Sequence, residues 1–368
     1  MTLFNELDTP SLIIDVRQAE KNIMEMQKRA DRLGVNLRPH TKTHKMPFFA
    51  KKQVEAGACG IAVAKIGEAE VMAKSGITDI LIANEIVGIQ KYRRLLGLHE
   101  RITVRSGVDN TFQIDQIEEV FAQSEKPYEV LIELEVGEQR SGVETDQDLV
   151  KLVEYIKTKE HVVLKGIFSH EGHCYKAPDR ETCKALAEES YRRTLQAAAL
   201  VRGCGVEIDI VSIGATPSIM NGGFMEGITE LRLGTYIFMD MGQSRAVGDY
   251  SGCAASVLAT VISKPTDTRV VLDTGAKALV PQNRSGGICA TGGYGCVKGN
   301  ESVVICNMFD EHGLIENREF HDRTVLGEKL EIIPSHICPS VNLYDEAVLV
   351  DQGKILGTVP VLCRGKSK

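Results

Sequence analysis

Eight times from the segment LRPHTK to ITELRLG, the chain alternates a short strand-like run, several of them apolar almost throughout, with a stretch of helical spacing. After LRPHTK the runs are GIAVAK (60–65), DILIAN (79–84), ITVRS (102–106), EVLIELEVG (129–137), VLKGIFSH (163–170), IDIVSIGAT (208–216) and ITELRLG (228–234). Runs apolar almost throughout suit strands buried on both faces, as in a parallel sheet. The segments between them include GEAEVMAKSG, NTFQIDQIEEVFAQS and RETCKALAEESYRRTLQAAALVRGCG, which repeat apolar residues at helical intervals. Eight such units in about 210 residues are the arithmetic of a (β/α)8 barrel. A doubly wound open sheet is the alternative.

After about residue 245 the long helical patterns stop. SVLATVISKP, TRVVLDTG, SVVICNMFDEHG, KLEIIPSHIC and EAVLVDQGKILGTVPV read as strands separated by turn residues, a separate β-domain. The expected organisation is therefore an N-terminal strand in 1–12 that pairs with the β-domain, a barrel over 13–245, and the β-domain over 246–368. A chain of 368 residues has room for both. The formal charge of -7 argues against nucleic acid or an anionic membrane as the main partner. No apolar run reaches the roughly 18 residues of a spanning helix. MTLFNELDTP lacks the basic and apolar regions of a signal peptide, and with ten cysteines this predicts a reducing, cytoplasmic setting. There is no C-x-x-C pair to predict a structural zinc knuckle.

In a (β/α)8 barrel the reactive side chains gather where strands end. The first run ends in NLRPHTKTHK, half of which is His, Lys or Arg. Lys42 is expected at that rim beside His40, His44, Lys45 and Arg38. Neighbouring cations disfavour an ammonium, and a neutral amine can condense with an aldehyde. A solvated basic patch is the plainer account of the same residues. The fifth run ends in VGEQRSGV, which brings Arg140 to the rim, and the sixth ends in FSHEGHCY, which brings His170, His173 and Tyr175. SIGATPS closes the seventh. Its small residues let backbone amides reach an anion, and Pro217 suits the first turn of a following helix. LRLGTY closes the eighth, and a phosphate held after strands seven and eight recurs in barrels. An aldehyde-reactive lysine with a phosphate site points to pyridoxal phosphate.

The β-domain contributes PSHICPSVNLYD. His336 and Cys338 stand two apart, which on a strand puts them on one face. Imidazole and thiolate are good zinc ligands, and two of them leave positions for water or substrate. A buried Cys beside a capping His is the plainer alternative. The glycine-rich NRSGGICATGGYGCVKG fits no phosphate-loop template and reads as a hairpin or loop.

LDTPSLIID, RPHTKTHK, EVGEQRSGV, GIFSHEGHCY, VSIGATPS, ELRLGTYIFMD, VLDTGAKAL and PSHICPSVNLYD together resemble the D-threonine aldolase / D-serine dehydratase family. These are alanine-racemase-like (fold type III) pyridoxal-phosphate enzymes, and the resemblance spans nearly the whole chain. It implies a barrel followed by a β-domain, usually as a dimer. It implies that Lys42 is the Schiff-base lysine and the base for the α-proton, with His173 as a further catalytic group. His40, Phe168 and Tyr175 would line the cofactor pocket, and Arg140 would lie near the cofactor's phenolic oxygen. Gly214, Ala215 and Thr216, with Gly234 and Thr235, would hold the phosphate. Arg232 would approach the pyridine nitrogen, with Glu230 as the rival for that place. His336 and Cys338 would bind a divalent metal, zinc first, with manganese or magnesium as alternatives. Phe168 departs from relatives that carry tyrosine there, which bears on substrate choice.

The implied substrate is a small D-β-hydroxy-α-amino acid: D-serine, D-threonine and D-3-hydroxyaspartate all fit. The same parts serve β-elimination to a 2-oxo acid plus ammonia and retro-aldol cleavage to glycine plus an aldehyde. The thiolate at Cys338 tilts the choice toward the dehydratase. A racemase would need a second base early in the β-domain, and the context of Tyr250 does not resemble one. A non-catalytic cofactor carrier would lack the β-domain.

Overall fold

The structure, a computed structural model, describes residues 4–368, so the first three residues of the segment expected to form the N-terminal strand lie outside the described residues. The chain packs as two compact units. One comprises Met1–Glu25, Thr43–Phe48 and Thr235–Gly365; the other comprises Met26–Lys42, Phe49–Gly234 and Lys366–Lys368. The first strand, β1 (Ser11–Asp15), belongs to the former and leads into the helix Val16–Leu33, within which the chain passes to the latter.

The second unit is the barrel. Its strands are β2 (Asn36–Leu37), β3 (Ile61–Val63), β4 (Asp79–Glu85), β5 (Thr103–Val108), β6 (Tyr128–Leu134), β7 (Val162–Ser169), β8 (Ile210–Ile213) and β9 (Glu230–Leu231). Each falls on one of the eight apolar runs. They pair in parallel in the order β2-β9-β8-β7-β6-β5-β4-β3. The sheet closes on itself: Cys59 N–H donates to Leu37 O (3.0 Å), Ala62 N–H to Pro39 O (2.8 Å) and Thr41 N–H to Ala62 O (2.8 Å). Closure leaves no edge to protect. Ala62, Leu81, Leu131 and Phe168 form a layer of buried side chains on β3, β4, β6 and β7, as barrel interiors require. The helices between strands start on residues that suit a cap. Asn110, Thr145 and Asp179 each accept from an amide three residues on, an arrangement that contributes about 1 kcal/mol apiece.

The other unit is built on β1 with β10 (Ala255–Ser263), β11 (Arg269–Leu272), β12 (Gly295–Val297), β13 (Asn300–Val304), β14 (Asn307–Met308), β15 (Gly313–Glu316), β16 (Lys329–Pro334), β17 (Glu346–Asp351) and β18 (Lys354–Pro360). The main path runs β13-β12-β16-β10-β1-β17-β18, and β11, β14 and β15 branch from β10. β1 pairs antiparallel with β10 and parallel with β17, so the N-terminal strand sits inside this sheet. Alternation along β10 sends Val257, Ala259 and Val261 to a core shared with Val270, Leu272, Ile315 and Ile332. The glycine-rich stretch resolves into a loop and the β12–β13 hairpin.

The boundary expected after residue 245 falls inside the helix Met241–Val247. Packing divides the chain earlier, at Thr235, for a physical reason. Ile237 O is held by Asn22 Nδ2 (2.9 Å), Phe238 O accepts from Ala254 N–H (2.8 Å), and Gly242 N–H donates to Ser335 O (3.3 Å). These bonds tie the segment to the β-domain. No helix among the described residues is long and apolar enough to cross a membrane.

Candidate active site

The end of β7 organises the barrel rim, because four consecutive residues there each hold a residue from a later strand end or loop. The Phe168 ring is buried and lies 4.8 Å beneath the Arg232 guanidinium. Ser169 O accepts from Arg232 Nη2 (2.9 Å), and Arg232 Nη1 donates to Ser212 Oγ (2.9 Å). His170 Nδ1 bonds Gly214 O at 2.7 Å, which makes Nδ1 the protonated nitrogen. Glu171 is fully buried and accepts from Ser218 Oγ (2.7 Å), Tyr191 Oη (3.2 Å) and Gly214 N–H (3.4 Å). Gly214 is therefore held through both its amide and its carbonyl. A Cβ there would come within 2.7 Å of the Arg232 main chain, so only glycine fits. Thr216 then opens the short helix Thr216–Met220, with Pro217 in its first turn as expected and with no side-chain cap from Ala215.

Charge at this rim follows from burial and from cations. Burial pushes His170 down to about 3, and the Lys42 and Arg140 charges push it the same way. The imidazole is neutral across the ordinary pH range. Burial lowers Arg232 and raises Glu171 from their usual values, each opposed by its polar partners. Arg140 is half exposed and ion-paired to the buried Glu133 (3.1 Å), which also accepts from Ser141 Oγ (3.3 Å). Glu85, at the end of β4, is pushed up to about 8 by burial first and then by its contact with Glu133. Glu133 thus has a carboxyl on one side and a guanidinium on the other. Tyr175 stands edge-on to His170 at 6.2 Å in the turn Gly172–Lys176. His173, in the same turn, has its ring against Gly137, Nε2 3.4 Å from Ser190 Oγ and Nδ1 without a partner. Burial lowers its pKa, opposed by Glu135 and Glu189.

The opening basic cluster differs from its reading as a sequence. Arg38 is buried and its guanidinium lies between Glu230 (Nε to Oε2, 2.7 Å) and Asp79. Its charge is neutralised by residues far along the chain and adds nothing to a cationic patch. Glu230 also accepts from Ser212 Oγ (2.8 Å), so both its oxygens are engaged. His40 is buried, with Nδ1 3.4 Å from the Lys42 amide. Between Lys42 and Thr43 the chain passes from the barrel to the other unit. There His44 is buried, its Nδ1 accepts from Met46 N–H (3.1 Å), and its ring meets Phe238 edge-on.

In the β-domain the strand expected to carry His336 and Cys338 ends at Pro334. His336 is the N-cap of the helix Ile337–Val341 and Cys338 lies within it, so alternation along a strand does not relate them. The strand stops there because the turn is claimed by other bonds: Ile337 N–H donates to Asp240 Oδ2 (3.1 Å) and Ser335 Oγ to Gln282 O (2.6 Å). His336 Nδ1 bonds Gln282 Oε1 at 2.8 Å. The buried Cys338 Sγ lies 3.3 Å from Thr43 Oγ1 and 3.7 Å from Thr235 Oγ1.

Both implied groups match the donors present. A barrel-rim lysine, a glycine pinched against Arg232 and a helix start with no side-chain cap suit an aldehyde cofactor bearing a phosphate. Among the described residues no cluster of three or more His, Cys, Asp or Glu side chains could hold an ion. His336 and Cys338 would thus be a two-ligand set, and imidazole with sulfur suits a zinc-like ion that keeps open positions. Sequence reasoning missed Glu171, Glu133 and Gln282. Glu171 carried one signal, an acid just past a buried apolar run. The others carried none, since their partners are set by tertiary packing. All ten cysteines are free thiols.

Residues 14–242 match the family model for the alanine racemase N-terminal domain, and residues 254–350 match the one for a serine dehydratase domain. The D-threonine aldolase of Arthrobacter sp. is 32% identical over 98% of this chain and 94% of its own length. The D-threo-3-hydroxyaspartate dehydratase of Delftia sp. is 33% identical over 90% of this chain and 91% of its own. Among solved structures, a cysteine-to-alanine variant of D-threo-3-hydroxyaspartate dehydratase, described as the metal-free form, superposes with a TM-score of 0.87 at 29% identity, covering 98% of this chain and 99% of that one. A histidine-to-alanine variant of the same enzyme, altered two positions earlier, superposes with a TM-score of 0.88 at 29% identity, covering 98% and 96%.

Proposed function

This chain belongs to the D-threonine aldolase / D-serine dehydratase family of alanine-racemase-like pyridoxal-phosphate lyases, and on that premise we propose that it is a metal-assisted D-β-hydroxy-amino-acid dehydratase. Pyridoxal phosphate, when bound, supplies the electron sink for the bond broken at the substrate's α-carbon. Lys42 is the amine that carries it and the base that takes the α-proton. Ala215 and Thr216, with Gly234 and Thr235, hold the phosphate, while Gly214 shapes the loop through its bonds to His170 and Glu171. Arg232 would be the residue toward the pyridine nitrogen rather than Glu230, whose oxygens are taken by Arg38 and Ser212. Arg140, anchored by Glu133, would serve the phenolic oxygen. His40, Phe168 and Tyr175 line the cofactor pocket, and neutral His170 lets cations stand close without repulsion. His173, with one ring nitrogen unbonded, holds a proton for the departing group.

His336 and Cys338 would hold a divalent metal, which when bound would supply Lewis acidity toward the β-hydroxyl. Zinc suits the pair best, because sulfur disfavours magnesium. The observation that carries the dehydratase reading is this imidazole–sulfur pair. It has the spacing at which the related dehydratase was altered, and the cysteine variant there was solved in a metal-free form. The second reading is retro-aldol cleavage, supported by the likeness to the Arthrobacter aldolase. The enzyme would act on small D-amino acids as a cytoplasmic homodimer. Product analysis with D-serine and D-threonine decides. Pyruvate or 2-oxobutyrate with ammonia supports elimination, glycine with acetaldehyde replaces it with the aldolase, and the L-enantiomer rejects both.

A further inference from the structure

The glycine-rich stretch that matched no phosphate template is preceded by a residue with a specific place in the fold. Gln282 touches the turn before the helix Ile337–Val341 twice. Its backbone carbonyl accepts from Ser335 Oγ at 2.6 Å, and its side-chain oxygen bonds His336 Nδ1 at 2.8 Å. We propose that Gln282 is a positioning residue that holds the His336 imidazole with its proton on Nδ1 and so leaves Nε2 unprotonated, the form a divalent metal takes. This rests on the reading of His336 and Cys338 as metal ligands.

The chemistry leaves one assignment. A carbonyl oxygen can only accept, so the nitrogen facing it carries the hydrogen. A neutral imidazole has one N–H, so its lone pair is on the other nitrogen. Ligating histidines usually donate their second nitrogen to such an acceptor, which fixes the ring and raises ligand basicity. The main chain beside the ring is already pinned. Ile337 N–H is held by Asp240, and Ser335 O by Gly242 N–H. Gln282 holds the ring itself, from its Nδ1 side. The second ligand has its own partners in the Thr43 and Thr235 hydroxyls, which can donate to sulfur once its proton leaves. Loss of Gln282 removes that bond and its bias toward the Nδ1–H tautomer, and metal binding must then select the competent form.

The test measures metal affinity rather than turnover. The full-length protein, carrying pyridoxal phosphate and stripped of metal by chelation, is titrated with Zn2+ against a chromophoric chelator. Gln282→Leu should weaken Zn2+ binding roughly 10- to 100-fold. Gln282→Glu, which keeps an acceptor, should stay within about threefold of the parent or bind tighter. The metal-free melting temperature of each variant should match the parent, because Gln282 is exposed. If Gln282→Leu fails that control, Gln282→Met takes its place. Parent-like affinity in the Leu or Met variant overturns the proposal, as does equal weakening in the Glu variant. His336→Ala separates the two levels: parent-like Zn2+ binding in that variant rejects the metal-ligand reading itself.

Discussion

The barrel and the β-domain position their candidate side chains by different means. At the barrel rim the main chain does the placing. Phe168, Ser169, His170 and Glu171 follow one another out of β7, and each meets a partner on another strand end or loop. In the β-domain the two candidate ligands sit at the start of a five-residue helix, and Gln282, Thr43 and Thr235 reach them through their side chains. A site built on strand ends inherits the rigidity of the sheet. A site oriented by side chains can be loosened one contact at a time with the fold intact. The difference predicts that the two functions, holding the cofactor and holding the metal, are separable by mutation.

The largest effect should come from Lys42→Ala. Turnover should drop by about 10²–10⁴-fold or more. The visible absorbance of the bound cofactor should change, while Zn2+ content stays at the parent level. Loss of metal in that variant would break the proposed separation. Next, Cys338→Ala should abolish metal binding and lower turnover by roughly 10²-fold or more, since the Lewis-acid contribution amounts to several kcal/mol. The absorbance of the bound cofactor should survive. A metal-free variant with full activity would remove the metal from the reaction.

Glu171→Leu should destabilise the barrel by about 3 kcal/mol, because buried donors on Ser218, Tyr191 and Gly214 lose their acceptor. Urea unfolding measures this, and a cost under about 1 kcal/mol would show that the carboxylate does not organise the loop. The pH dependence is smaller per unit. His170 titrates at about 3 when folded against 6.5 when free. The unfolded chain therefore binds this proton first, and stability present above pH 6.5 is lost as pH falls toward about 3. The slope is about 1.4 kcal/mol per pH unit for the one site, read as the difference between the parent and His170→Asn. Parallel curves would show that the imidazole protonates freely in the fold. Smallest is Asn110→Ala, which removes the cap on the Gln113 amide and should cost about 1 kcal/mol without changing turnover.

The amino-acid sequence by itself determined the elements and their order. Apolar runs mark strands through contacts that every residue in the run shares, so all eight barrel strands fell where the runs stand. The place of His170 follows from position alone, because a residue just past a strand reaches the rim whatever its partners. Only the tertiary structure decided which charges survive. Arg38 reads as one more cation beside Lys42, yet Asp79 and Glu230 neutralise it from 41 and 192 positions away. Gln282 meets His336 across 54 positions, and β1 lies between β10 and β17. The setting of His336 and Cys338 on a helix start likewise depended on bonds from Asp240 and Gln282. The physical reason is range. Periodicity and turn chemistry act within a few residues and are written locally. Pairing of buried polar groups depends on which distant segments the closed sheets bring together.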